Sequence, residues 1–171
     1  RVAVKRLGAL EALGCVSVLC LDKTGTLTQN NMRVERLLLP GGRVVEATGL
    51  TPRALSSRMG WVRELRWAIL VGAGCNDVQK GADGQWTGDP MELALVRLAE
   101  QVGFDHERWH AKYPRVTERP FDAVAGYMAV LCGDDEEAWV LVKGAPERVI
   151  PQCTGILIGG KRRDLTESER Q

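Results

Sequence analysis

The chain has 171 residues, 44% hydrophobic and 26% charged, proportions that exclude a disordered polymer and give room for about one domain and part of another. Its 23 basic and 22 acidic residues leave a net charge of +1, which excludes electrostatic attraction to nucleic acid or to an anionic membrane surface as a basis for function. The longest apolar stretch, residues 68–75, is far too short to span a bilayer, and the opening residues do not read as a signal peptide.

Residues 1–14 predict an amphipathic helix, with Val4, Leu7, Leu10 and Leu13 at helical spacing and Gly14 as the stop. The apolar run at 16–21 predicts a buried strand that ends on Asp22. Residues 32–39 predict a further strand, Pro40-Gly41-Gly42 a turn, and residues 43–48 the returning hairpin partner. Thr51-Pro52 opens a long helical pattern through Leu55, Met59, Val62, Leu65, Ile69 and Gly72, with Pro52 suited to a first helical position. Trp61 and Trp67 on this segment read as packing residues, and residues 80–84 as a loop tip.

Pro90 starts another helix, whose apolar face is Leu93, Val96 and Leu98 and whose end is Gly103. A short polar helix is predicted around 105–112, then strands at 115–121, 127–132 and 138–142, the last two joined by an acidic turn. Residues 146–150 predict a helical turn, and Thr166-Glu167-Ser168-Glu169 has the form of a capping box. From residue 32 onward the alternation of hairpins and helices predicts an antiparallel α+β unit, whereas residues 1–31 read as one helix and strand of a parallel-sheet domain.

The most informative segment is Asp22-Lys23-Thr24-Gly25-Thr26-Leu27-Thr28. A strand that ends on a carboxylate and turns through Thr-Gly-Thr presents a nucleophile at the carboxyl edge of a parallel sheet, where ligands of such sheets collect. The glycine allows a tight turn, and hydroxyls and amides beside it meet phosphate oxygens. An aspartate so placed can attack a γ-phosphate and become an acyl phosphate.

Two other patterns point to different chemistry. His106-Glu107-Arg108-Trp109-His110 matches H-E-x-x-H, which sets two histidines on one helix face as in zinc hydrolases. The chain has only two histidines, so a third ligand would have to be a carboxylate. The segment from Gly155 to Arg162 nearly spells a phosphate-binding loop but carries Arg162 where a Ser or Thr is needed, and reads better as a hairpin turn. The five cysteines form no C-x-x-C pair and read as small buried residues in a reducing compartment.

The loop at 22–28 resembles the phosphorylation signature of the P-type ATPases at all seven residues, and the segment at 4–14 resembles the stretch that links a membrane helix to it. Cys75-Asn76-Asp77, the run from Gly88 to Leu95, Pro120-Phe121-Asp122 and Lys143-Gly144-Ala145-Pro146-Glu147 resemble, in order, the nucleotide-binding domain of type II cation-transporting members. The resemblance implies a mixed α/β (α+β) fold, an antiparallel sheet flanked by helices. One helix-strand-loop piece of a Rossmann-like phosphorylation domain would precede it. Residues 1–31 would be part of the phosphorylation domain and residues 32–171 a nucleotide-binding domain truncated at its carboxyl end.

By the same resemblance the cofactors are ATP and Mg2+. Asp22 would take the γ-phosphate within the catalytic loop Asp22, Lys23 and Thr24, with magnesium held by Asp22 and the backbone of Thr24. Phe121 would stack on adenine, Glu92 would stand near its amino group, Lys143 would form the pocket floor, and Gly144 would let the backbone approach the ligand. The partners implied are membrane helices, an actuator and the rest of the phosphorylation domain, with this piece at the cytoplasmic face of a membrane. The isolated piece would not turn over. A soluble aspartate-nucleophile phosphatase is the alternative; it would need a second acid where Thr24 stands. A zinc hydrolase using His106 and His110 is a further one.

The sequence departs from the family at Ala123-Val124-Ala125-Gly126, where basic residues that would face the triphosphate are absent. A charge-assisted hydrogen bond contributes about 1.5–3 kcal/mol, so nucleotide affinity is expected to be lower by roughly tenfold or more.

Overall fold

The computed structural model describes residues 7–56 and 59–170, and the chain divides into two compact units, Arg1–Asn31 and Met32–Gln171. The first unit holds helix α1, Leu7–Cys15. Val4 of the predicted helix lies outside the described residues, as do the side chains of Leu7, Leu10 and Leu13. The strand expected at 16–21 is not formed: the segment is irregular, with Val18 76% and Leu21 53% exposed. A strand needs a neighbour to take its amides and carbonyls, and no strand forms among the described residues of this unit.

The loop that follows does turn as the sequence requires. Thr24 (φ −84°, ψ 121°) and Gly25 (φ 79°, ψ −10°) are the two central residues of a type II turn, whose second position needs a positive φ. The turn is fixed by the Thr24 amide donating to Asp22 Oδ1 at 3.3 Å and the Thr28 amide donating to the Lys23 carbonyl at 3.1 Å.

The second unit begins with the hairpin of β1 (Arg36–Leu39) and β2 (Arg43–Glu46), both shorter than predicted. The single long helix expected from Pro52 is two helices, α2 (Pro52–Leu55) and α3 (Trp61–Gly74), with Pro52 at the first position as read. Ser56 Oγ donates to the Pro52 carbonyl at 3.2 Å, a local bond that competes with helix propagation. Gly60 then passes so close to Gly159 that a Cβ would stand 2.8 Å from its carbonyl oxygen.

A short hairpin of β3 (Gln79–Lys80) and β4 (Trp86–Thr87) leads into α4 (Pro90–Gln101) and α5 (His106–Lys112). Strands β5 (Arg115–Asp122), β6 (Tyr127–Gly133) and β7 (Ala138–Gly144) form an antiparallel sheet in that order. Helix α6 (Pro146–Val149), the hairpin of β8 (Gly155–Ile158) and β9 (Lys161–Asp164), and α7 (Glu167–Arg170) complete the chain. The Gly155 to Arg162 segment is thus a hairpin, and the architecture is mixed helix and antiparallel sheet. No helix among the described residues is long and apolar enough to cross a membrane.

Helix α3 packs into two cores. Leu65, Ile69 and Ala73 join Leu39 of β1 and Leu98, Ala99 and Val102 of the α4 segment. Cys75, at the end of α3, joins Met128, Val130, Cys132 and Leu141 of the sheet. Trp67 packs on Trp139, ring centres 5.0 Å apart, and Trp61 lies under Arg43. The cysteines are free; Cys75 and Cys132 are buried as expected, but Cys15 and Cys20 are exposed.

Candidate functional site

The site is built where α4 begins. Asp89 caps the helix, its Oδ1 accepting from the Met91 amide at 2.8 Å and the Glu92 amide at 3.3 Å, with Pro90 following in the first turn. That entry leaves Glu92 only 7% exposed. Its Oε2 accepts from the Asp77 amide at 3.0 Å, and its Oε1 accepts from Lys143 Nζ at 2.6 Å. Lys143 comes from β7, opposite Met128 on β6, and its Nζ also lies 3.6 Å from Met128 Sδ. Beneath the pair, Cys75 Sγ donates to the Met128 carbonyl at 3.7 Å. Burial pushes this thiol up from its ordinary value, and the Lys143 charge partly offsets the rise.

Phe121 is aimed by a β-bulge. Arg119 pairs with Ala129 and Asp122 with Tyr127, so Pro120 and Phe121 together face the single residue Met128. Proline has no amide to donate and is tolerated in a strand at such a place, and a bulge re-aims the side chain it carries. The Phe121 ring is 62% exposed, an open aromatic face at the lip of a groove.

The groove has two lobes that share Met91, Phe121 and Lys143. One, about 480 Å³, is lined in addition by Asp77, Gly88, Asp89 and Glu92. The other, about 590 Å³, is lined by Leu95, Ala123, Gly126, Gly144 and Ala145. Both volumes lie in the range of small-molecule sites, and an apolar wall with a few convergent charged groups is their usual make-up. Of the residues expected from sequence, Glu92, Phe121, Lys143 and Gly144 are therefore brought together. Asp77, Asp89, Met91 and Leu95 were not foreseen as lining residues, although Asp89-Pro90 is a readable helix-start signal.

Two details change how the charges read. Glu92 and Lys143 neutralise each other, and Asp77 is held by Arg115 at 2.8 Å. Gly144 is a glycine for the sheet's own sake: a Cβ there would stand 2.4 Å from the Gly126 carbonyl oxygen and 2.6 Å from Tyr127 Cα.

Asp22, Lys23 and Thr24 are exposed on the loop of the first unit. One Asp22 oxygen faces the Thr24 amide. The Asp22 carboxylate and the Thr24 carbonyl are hard oxygen donors of the kind Mg2+ takes, and would supply at most two of its six positions.

His106 is buried between Trp86, ring centres 4.9 Å apart, and Phe104, 4.8 Å apart, while His110 is exposed. Among the described residues no three His, Cys, Asp or Glu side chains are grouped to hold a metal ion.

Comparison with known proteins follows the same lines. The family described as "P-type ATPase, cytoplasmic domain N" matches residues 64–171. The chain is 38% identical over 164 residues to the "Probable cation-transporting ATPase F" of Mycobacterium tuberculosis (strain ATCC 25618 / H37Rv), covering 90% of this chain and 18% of that protein. It is 35% identical over 170 residues to the "Calcium-transporting ATPase" of Bacillus subtilis (strain 168), covering 92% of this chain and 19% of the relative. To "Calcium-transporting ATPase 1" of Lactococcus lactis subsp. lactis it is 33% identical over 163 residues, covering 95% and 17%. A nucleotide-sized groove on a mixed sheet-and-helix domain is in keeping with that match, and the chain belongs to the P-type ATPase family, through its cytoplasmic domain N. It spans less than a fifth of the length of these relatives.

Proposed function

We propose that residues 32–171 bind ATP in the Phe121 groove as the nucleotide-binding domain of an ATP-driven cation pump, and that residues 1–31 carry its phosphorylation loop. The observation that carries the reading is the convergence of Phe121, Glu92 and Lys143, from β5, α4 and β7, on one groove. The exposed Phe121 face stacks on adenine, a contact worth about 1–3 kcal/mol. Each Glu92 oxygen already holds one donor, yet a carboxylate accepts about four, so the adenine amino group can bond to it without breaking the Lys143 pair.

In the whole protein an Asp22 oxygen attacks the γ-phosphorus, a bond forms between them, the bond to the β-phosphate oxygen breaks, and ADP leaves. The Asp22 carboxylate and the backbone of Thr24 would hold Mg2+, which would supply positive charge against the transferring group. Thr24 offers no carboxyl acid to drive hydrolysis of the acyl phosphate, which favours a long-lived phosphoenzyme over a phosphatase.

The test is an ATP titration of the chain followed by backbone amide NMR and repeated with Phe121→Ala. Shifts clustered at Glu92, Phe121 and Lys143 and lost in the variant support the reading; a folded protein without shifts at millimolar ATP overturns it. For the loop, the full-length protein incubated with γ-labelled ATP should hold acid-stable label that Asp22→Asn abolishes. Label that persists in the variant removes Asp22 from the role.

A further inference from the structure

We infer that Arg148 is a phosphate-binding residue of this groove, supplying the positive charge that residues 123–126 lack. The inference rests on the nucleotide-binding reading above and adds a residue to it. A nucleoside polyphosphate needs uncompensated positive charge beside the base site, and the groove wall offers little. Lys143 is matched by Glu92 at 2.6 Å, and Arg115 by Asp77 at 2.8 Å and by Glu118. Arg119 is turned to Tyr127, over its ring and bonded to its hydroxyl.

Arg148 is exposed and makes no ion pair among the described residues. Its place is fixed by backbone. The Ala145 amide donates to the Gly126 carbonyl at 2.8 Å, tying the β5–β6 turn to the start of α6, and the Arg148 amide donates to the Ala145 carbonyl at 2.9 Å. The arginine stem therefore lies over Gly126. A Cβ at 126 would stand 2.7 Å from Arg148 Cγ and 3.7 Å from its Cδ. The space a side chain at 126 would take is filled by Arg148, and the guanidinium begins one bond beyond that Cδ. Gly126 itself lines the larger lobe with Phe121 and Lys143. The charge offered to the groove at this point therefore comes from α6 and not from the turn. A planar guanidinium also matches phosphate oxygens in pairs.

The experiment is calorimetric titration of the 171-residue chain with ATP and, separately, with adenosine, for the unchanged protein, Arg148→Ala, Arg148→Lys and Arg148→Ala with Ala123→Lys. Arg148→Ala should weaken ATP by about tenfold and flatten its salt dependence while leaving adenosine within about twofold, since a charge-assisted bond is lost only to the phosphates. Arg148→Lys should retain most of the ATP affinity, and the added lysine should restore part of it. ATP affinity unchanged in a folded Arg148→Ala, or ATP and adenosine weakened alike, overturns the assignment while nucleotide binding stands. Unchanged protein that binds neither ATP nor adenosine overturns the nucleotide-binding reading and this one with it.

Discussion

Lys143 Nζ lies 2.6 Å from Glu92 Oε1, joining β7 to the first turn of α4 across the floor of the groove. Both side chains are largely removed from water, 16% and 9% exposed, so each needs the other. Removing one partner of such a pair costs about 3–5 kcal/mol, whereas replacing both with apolar groups of similar size is often near neutral. Glu92→Gln and Lys143→Met should each lower the urea midpoint sharply, and Glu92→Leu with Lys143→Met should recover most of the loss. Equal and additive losses would mean that the two side chains act independently.

Phe121 should separate affinity from stability. Its ring is 62% exposed, so Phe121→Ala removes little buried area and should change unfolding free energy by less than about 1 kcal/mol. ATP affinity should fall by about tenfold, the stacking contribution of one aromatic face. A large drop in melting temperature would instead make Phe121 a packing residue.

Much of this arrangement is legible in the chain. Pro52, Pro90 and Pro146 each announce a helix start, Pro40-Gly41-Gly42 gives the first hairpin, and β5, β6 and β7 lie within two residues of their predicted bounds. These are local signals. The run at 16–21 has strand composition, but composition cannot supply the neighbour that a strand needs, and the segment is irregular. The break between α2 and α3 turns on one Ser56 bond and on the contact of Gly60 with Gly159, far away in sequence. Glu92 and Lys143 both stand out in the sequence as candidate site residues, yet their pairing across 51 positions is set by the sheet and α4 together. The bulge at Phe121 did have a signal, Pro120 inside a strand pattern.

Gly144→Ala tests whether that glycine serves the sheet. The added methyl would meet the Gly126 carbonyl and Tyr127, forcing apart the last rung of β6 and β7. Overpacking of this kind costs about 1–3 kcal/mol. Thermal unfolding should show the loss without any nucleotide present; a melting temperature within a degree or so of the unchanged protein would return Gly144 to a purely ligand-facing role.

His106 makes stability depend on acid. Burial holds its pKa below the ordinary 6.5, with Glu100 opposing the shift and His110 and Lys80 adding to it. Its Nε2 is buried without a hydrogen-bond partner among the described residues. The unfolded chain therefore takes up the proton first, so stability is full above the ordinary histidine value and falls as pH drops through it toward the folded one. Urea midpoints should decline between pH 7.5 and 5.5, and His106→Gln should flatten the decline. An identical slope in the variant would place the acid sensitivity elsewhere.

The strand that presents Phe121 is also an open edge of the sheet. Every residue of β5 is exposed, and it forms one edge of the sheet, leaving a row of backbone groups on which another strand could assemble. Arg115, Glu118, Arg119 and Asp122 space charge along it, Pro120 removes one donor, and two bulges spoil its straightness. These are the features that keep such an edge from templating fibrils. Pro120, at the bulge that presents Phe121, thus also works against edge-to-edge pairing, and straightening β5 should lower the solubility of the chain.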